Sequence, residues 1–80
     1  MRAYVYVTLK RSVLDPQGKT IQNALQKLGY QGVSDVRQGK YFEIRLQDLE
    51  PEQARVEIER IARDVLTNPV IEEFQYRLEE

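Results

Sequence analysis

The sequence predicts an α+β fold with six elements in the order βαββαβ. Residues 2–9 are rich in β-branched and aromatic side chains, as in a strand. Residues 16–28 and 51–65 carry apolar side chains at the three- and four-residue spacing of an amphipathic helix. Because the 80 residues contain no linker, repeat or low-complexity segment, we expect a single domain over residues 1–80.

The first strand is expected at the centre of the sheet, because both of its faces are largely apolar. Successive side chains of a strand point to opposite faces, so every second residue belongs together. One face holds Ala3, Val5, Val7 and Leu9, and the other holds Tyr4, Tyr6 and Thr8.

The first helix has clear start and stop signals. Asp15 is suited to the N-cap position, where a carboxylate accepts free N–H groups of the first turn, and Pro16 suits the first helical position. Gly29 is placed as the left-handed residue that ends the helix. Between these signals the apolar residues form one stripe, made of Ile21, Ala24, Leu25 and Leu28.

A tight hairpin is predicted next, with Gly39 taking a positive φ between Gln38 and Lys40. Its arms are residues 33–38 and 41–47. The second arm alternates cleanly between apolar and polar residues. The first arm alternates poorly, so we expect an irregular or edge strand there.

The second helix is predicted to begin at Pro51, and Asn68-Pro69 is expected to end it. The last strand is predicted over residues 70–78. Its inward side chains are expected to be Phe74, Tyr76 and Leu78. The buried stripe of the helix is expected to be Ala54, Ile58, Ile61, Ala62 and Val65.

Right-handed crossovers leave few layouts for βαββαβ, and the commonest is the ferredoxin-like two-layer sandwich. This layout has a four-stranded antiparallel sheet with both helices on one face. A core of this size supplies only about 3–5 kcal/mol of stability unless association buries more surface. The open sheet face carries Tyr4 and Tyr6, so we expect sheets to associate in a homodimer.

The composition excludes several kinds of chemistry. There is no cysteine for a disulfide or thiolate site, and no histidine to act as a general base or metal ligand. The pI near 5.5 argues against a nucleic-acid partner. No apolar run approaches the roughly 18 residues of a membrane span, so we expect a cytoplasmic protein with no membrane contact.

Gly18-Lys19-Thr20 lies between a strand and a helix, where a phosphate-binding loop would lie. Val13 occupies the position that such a loop needs as glycine, and Asp15 would repel phosphate. A capped helix start is therefore the favoured interpretation. We expect no catalytic residue, no cofactor-binding residue and no metal ligand in this chain.

Four short motifs follow one another along the chain: Val13–Gly18, Leu28–Tyr30, Val36–Lys40 and Asn68–Glu72. In this order and spacing they resemble the PurS family, the small subunits of phosphoribosylformylglycinamidine synthase. The resemblance spans essentially the whole chain.

The resemblance implies a non-catalytic structural subunit in de novo purine biosynthesis. It implies a homodimer, or a tetramer when isolated, that bridges a glutaminase subunit and a large ATP-dependent synthetase subunit and assists ammonia transfer. The complex would be a glutamine-hydrolysing carbon–nitrogen ligase. ATP and Mg would be used by the synthetase, and this chain would bind no cofactor.

The resemblance also implies partner-contacting residues in three segments. The first is a loop before and at the start of the first helix, the second a hairpin tip, and the third a turn before the last strand. They comprise Lys10, Asp15, Pro16, Gln17 and Gly18; Arg37, Gly39 and Lys40; and Asn68 and Pro69.

A second hypothesis is a free-standing ferredoxin-like domain that binds an amino acid or a nucleotide as a sensor. The two hypotheses differ in what the purified chain binds. A subunit co-purifies with larger proteins, whereas a sensor is stabilised by a small molecule.

Overall fold

The computed structural model describes all 80 residues, Met1–Glu80. Along the chain it contains β1 (Arg2–Leu9), α1 (Pro16–Lys27), β2 (Gly39–Arg45), α2 (Pro51–Ile61), a π-helical turn (Ala62–Leu66) and β3 (Glu72–Glu79). The three strands form one sheet in the order β2-β1-β3, with both pairings antiparallel. The α+β class and the central position of the first strand are therefore confirmed.

The sheet register brings the apolar faces of the three strands together. Val5 of β1 lies opposite Phe42 of β2 and opposite Tyr76 of β3. Side chains of a strand alternate between its two faces, so every second residue counted from Val5, Phe42 and Tyr76 lies on the same face of the sheet. The inward orientation predicted for Phe74, Tyr76 and Leu78 is confirmed by their half-buried side chains packed against the core.

The core lies between this face of the sheet and α2. It is small, because few side chains are fully enclosed. Half-buried side chains from β2, β3 and the segments flanking α2 surround it. The core cluster consists of Ala3, Val5, Val7, Ile58 and Ala62.

The predicted fourth strand is wrong. Residues 33–38 form no strand, and Gly39 begins β2 with no positive φ, so the predicted hairpin is wrong as well. The backbone N–H of Gln38 donates to a side-chain carboxylate oxygen of Asp15 at 2.7 Å instead of to a neighbouring strand. Gly39 is needed for a different reason: a Cβ there would lie 2.5 Å from the carbonyl oxygen of Val7.

Only α2 covers the sheet. The substantial contacts between elements join β1 with β2 and β3, and α2 with β3, and none involves α1. The radius of gyration is 16.0 Å, against about 12 Å for a compact chain of this length. The apolar stripe of α1 is correspondingly open, with Ile21 40% and Leu28 75% exposed. The prediction that both helices pack on one face is therefore wrong for α1.

The end of the second helix departs from the predicted stripe. Ala54, Ile58 and Ala62 are fully buried as expected, but Val65 is exposed. The turn over Ala62–Leu66 is π-helical, and its wider spacing directs Leu66 toward the core in place of Val65.

The outer face of the sheet carries an aromatic cluster. The ring of Tyr41 stacks on that of Tyr4, with centroids 6.2 Å apart, and lies 5.2 Å from the ring of Tyr6. The guanidinium of Arg77 sits 4.5 Å above the Tyr4 ring. This face has no covering element, as the sequence predicts.

Truncating the largest enclosed side chain of α2 tests the core. We expect Ile58→Ala to lower the free energy of unfolding by about 2–5 kcal/mol, because it leaves a cavity in a fully enclosed site. Val56→Ala on the exposed side of the same helix is the matched control, with an expected change below about 0.5 kcal/mol. Urea unfolding followed by circular dichroism measures both; equal losses would contradict this core.

Candidate assembly site

The three segments predicted to contact partners meet at one end of the sheet. The N–H of Lys10 donates to the carbonyl of Ile71 at 2.8 Å, which joins the end of β1 to the segment before β3. The ammonium of Lys40 lies 3.5 Å from the carboxylate of Glu72, which joins β2 to the start of β3. Asp15 binds the N–H of Gln38. The fold thus brings together residues that lie far apart in the sequence.

Asp15 is the most buried polar residue of this site, with 5% of its surface exposed. Its Oδ1 accepts the N–H of Gly18 at 2.9 Å, which caps α1 as predicted, and its Oδ2 accepts the N–H of Gln38 at 2.7 Å. These two hydrogen bonds favour the ionised carboxylate and hold the pKa of Asp15 below its ordinary value, with a further contribution from the nearby Arg37 cation.

Arg37 binds the backbone of the segment that leads from β1 to α1. Its Nη2 donates to the carbonyl oxygens of Lys10 and Val13, each at 3.0 Å, and reaches that of Leu9 at 3.5 Å. The side chain is half-buried. Hydrogen bonds from a charged donor are stronger than those between neutral groups, so Arg37 fixes the course of this segment.

Gly18 occurs where two backbone segments approach closely. A Cβ at this position would lie 2.2 Å from the carbonyl oxygen of Val36 and 2.7 Å from Oδ2 of Asp15. Any larger residue would push the start of α1 away from the chain that leads into β2.

Asn68 shapes the turn before β3. Its Oδ1 accepts the N–H of Val70 at 3.1 Å, and its carbonyl accepts the N–H groups of Ile71 and Glu72. The carboxylate of Glu72 in turn accepts the N–H of Asn68 at 2.8 Å and pairs with Lys40. Glu72 is not among the predicted site residues, although it ends the Asn68–Glu72 motif and that position could have indicated its part in the turn.

Of the remaining predicted residues, Pro16 and Pro69 are exposed at the surface. Gln17, Gly39 and Lys40 line an open cavity of about 230 Å³ together with Gln38, which lies outside the predicted set, so that amide and ammonium groups face the cavity. These groups can donate and accept hydrogen bonds to another chain. The predicted set therefore contains residues that hold the fold (Asp15, Gly18, Arg37, Asn68) and residues that face outward; their contact with partners stays a prediction.

The titratable side chains of the chain form no group of three or more that could hold a metal ion. No helix is both long enough and apolar enough to cross a membrane.

The fold and the site together define a class of protein. It is a small α+β domain whose motif residues bind its own backbone at one end of a three-stranded antiparallel sheet and leave amides and a lysine at the surface.

Comparison with known proteins identifies the family. The sequence model described as PurS, phosphoribosylformylglycinamidine (FGAM) synthase, matches residues 2–80. The PurS subunit from Mycobacterium leprae is 47% identical over 73 residues, which are 91% of this chain and 89% of that protein.

Solved structures of PurS proteins are also similar to this chain. The Bacillus subtilis PurS structure superposes with a TM-score of 0.86 and 42% identity, covering 99% of this chain and 98% of that one. A chain in the structure of PurLQS from Thermotoga maritima gives a TM-score of 0.84 and 27% identity, covering 95% and 94%. The chain belongs to the PurS family, the small subunits of FGAM synthase, and the resemblance seen in its motifs is confirmed.

The close approach at Gly18 predicts a selective loss of stability. We expect Gly18→Ala to destabilise the fold by about 1–3 kcal/mol, because the new methyl group collides with the backbone of Val36. Gly32→Ala is the control, since a Cβ there meets nothing within 4 Å. Thermal unfolding of both variants measures the difference, and comparable melting temperatures would contradict the contact.

The depressed pKa of Asp15 predicts a dependence of stability on pH. A carboxylate whose pKa falls on folding stabilises the native state above its unfolded pKa of about 4, and this contribution is lost as the pH drops through the folded pKa. We expect Asp15→Asn to be less stable than the parent at pH 7 and the gap to narrow below pH 4. The midpoints of urea unfolding for both proteins, taken at several pH values between 7 and 2, measure this difference in stability.

The exposed Asp35 provides the control for this measurement. Asp35→Asn should keep the parent's pH profile. A gap between Asp15→Asn and the parent that stays constant down to pH 2 would contradict the assigned hydrogen bonds.

Proposed function

We propose that this chain is the non-catalytic assembly subunit of FGAM synthase in purine biosynthesis, and that it joins the glutaminase subunit to the ATP-dependent synthetase subunit and assists ammonia transfer. The observation that carries the proposal is the PurS match over residues 2–80, together with the similarity to a chain of the Thermotoga maritima PurLQS structure. The absence of histidine and cysteine from the sequence agrees with a role outside the chemical steps.

The open face of α1 supports association with a second copy. Its exposed stripe runs from Ile21 to Leu28 at the helix C-cap, Tyr30 is exposed just beyond Gly29, and no element of the same chain covers these side chains. Three such side chains are too few for a stable interface alone, but two copies of an isologous surface double the buried area. We propose that this stripe is part of a homodimer interface. The outer sheet face with Tyr6 and Tyr41, which the sequence predicted to associate in the homodimer, is instead assigned here to the pairing of dimers into a tetramer; the sheet-to-sheet homodimer stays a prediction.

We assign ATP and Mg to the synthetase subunit and no cofactor to this chain. We also propose that the chain lies in the cytoplasm with the other subunits. The exposed Gln17, Gln38 and Lys40 are proposed to contact the larger subunits, because they group polar donors at one end of the sheet.

Reconstitution with the two larger subunits tests the function. We expect glutamine-dependent synthesis to be lost when this chain is left out, whereas synthesis from added ammonium chloride should persist, because free ammonia bypasses the transfer between active sites. Product formation from each nitrogen source is the measurement. Equal glutamine-dependent rates with and without the chain would overturn the bridging role. A metabolite that raises the melting temperature of the chain alone would favour the sensor hypothesis.

A charge on the α1 stripe tests the homodimer. We expect Leu28→Glu to raise the dimer dissociation constant at least tenfold, because a carboxylate would be buried in an apolar interface. Asn23→Glu, on the opposite side of α1, is the matched control and should leave the constant within about twofold. Sedimentation velocity over a concentration series measures both. A dimer unaffected by Leu28→Glu would contradict the α1 interface.

A further inference from the structure

The helix α1 is attached to the sheet by two connections rather than by packing. The first connection runs over residues 10–15 from β1, and the second runs over residues 28–38 into β2. Because α1 makes no substantial contact with the sheet or with α2, these connections determine its direction. Two flexible connections by themselves would let a helix take many orientations.

The two connections hold each other through a reciprocal pair of side chains. Asp15, in the first connection, accepts the N–H of Gln38 in the second. Arg37, in the second, donates to the carbonyl oxygens of Lys10 and Val13 in the first. Each side chain therefore binds the backbone of the opposite connection. We call these two residues the clasp.

The clasp is tied to the helix itself. The same carboxylate of Asp15 also accepts the N–H of Gly18 in the first turn of α1. Gly18 lies against the backbone of Val36, and the side chain of Gln22 is buried one turn further along. The first two turns of α1 are thus fixed to the second connection. The last turn is held to it as well, because Nε2 of Gln26 donates to the carbonyl oxygen of Val33 at 3.1 Å.

We propose that Asp15 and Arg37 are positioning residues that fix the direction in which α1 leaves the sheet, so that its apolar stripe is held ready for a second copy of this chain. This inference rests on the homodimer proposed above. The clasp touches no part of the stripe: Asp15 and Arg37 bind only backbone, whereas Ile21, Leu25 and Leu28 form the surface.

The expected effect of losing the clasp on the dimer dissociation constant follows from the fraction of molecules whose α1 points in the native direction. The apparent dissociation constant of a complex rises in inverse proportion to the fraction of molecules in the binding-competent conformation. In an isologous dimer both copies must hold α1 in the native direction, so the dissociation constant rises with the inverse square of the fraction of molecules that do so. If loss of the clasp leaves one third of the helices in the native direction, the dissociation constant rises by about tenfold.

Arg37→Met tests the clasp through association. Methionine keeps most of the side-chain length but donates no hydrogen bond to the three carbonyl groups. We expect a dissociation constant at least tenfold higher in sedimentation velocity, measured well below the melting temperature with the fold verified by circular dichroism. Arg11→Met, at an exposed residue of the same connection, is the control and should stay within about twofold. A folded Arg37→Met protein that associates like the parent would overturn the proposal.

The direction of α1 is also measurable without a partner. The chain has no cysteine, so Asn23→Cys in α1 and Glu57→Cys in α2 give two unique sites for spin labels. In the Leu28→Glu background, at a concentration where sedimentation velocity shows a monomer, we expect a narrow distribution of label distances, and a broad one when Arg37→Met is added. Asp15→Asn provides the same comparison should Arg37→Met not fold. A distribution that is broad with the clasp intact, or equally narrow without it, would overturn the proposal.

The two experiments separate this inference from the proposed function. If the parent chain is monomeric at all concentrations, the homodimer is overturned and with it the use of the clasp in association. A parent dimer with an unchanged Arg37→Met dissociation constant overturns the clasp alone.

Discussion

The two hydrogen bonds accepted by Asp15 determine the layout of the molecule. One oxygen caps α1 through Gly18, and the other takes the N–H of Gln38. Because this N–H is bonded to Asp15, residues 33–38 run alongside α1, with Val33 near Gln26 in its last turn, and β2 begins only at Gly39. A buried carboxylate must satisfy its acceptors, so this arrangement prevails over a weak strand pattern. The incomplete sheet and the projecting helix both follow from it.

Local signals in the sequence predict most of the elements, because their causes lie within a few residues. The strand of alternating residues over 2–9, the N-cap at Asp15 and the left-handed Gly29 are all found where expected. The failures have long-range causes. The strand over residues 33–38 is replaced by a bond to a carboxylate 23 positions earlier, and the poor alternation there was its only warning. The exposure of Val65 arises from a π-helical turn that apolar spacing does not reveal.

The motif residues serve two physical purposes that the sequence does not distinguish. A motif found by resemblance shows that certain residue types recur together, not whether they face inward or outward. The structure divides them: Asp15 and Arg37 satisfy backbone groups of the chain itself, whereas Gln17 and Lys40 line an open cavity. Substitutions in the first group alter shape before they alter contact. Loss of assembly after such a change is therefore no proof that the residue touches a partner.

Association and stability are coupled in a chain of this shape. Its fully buried cluster comprises only five residues, whereas α1 leaves Leu28 and its neighbours in contact with water. Burying such apolar surface contributes about 25 cal/mol per Å², so a partner that covers the stripe stabilises the fold as well as the complex. Any partner that binds only the folded state raises the apparent stability by mass action. A partner that covers this exposed stripe, as proposed for a second copy of the chain, would therefore couple the folding of the subunit to its association.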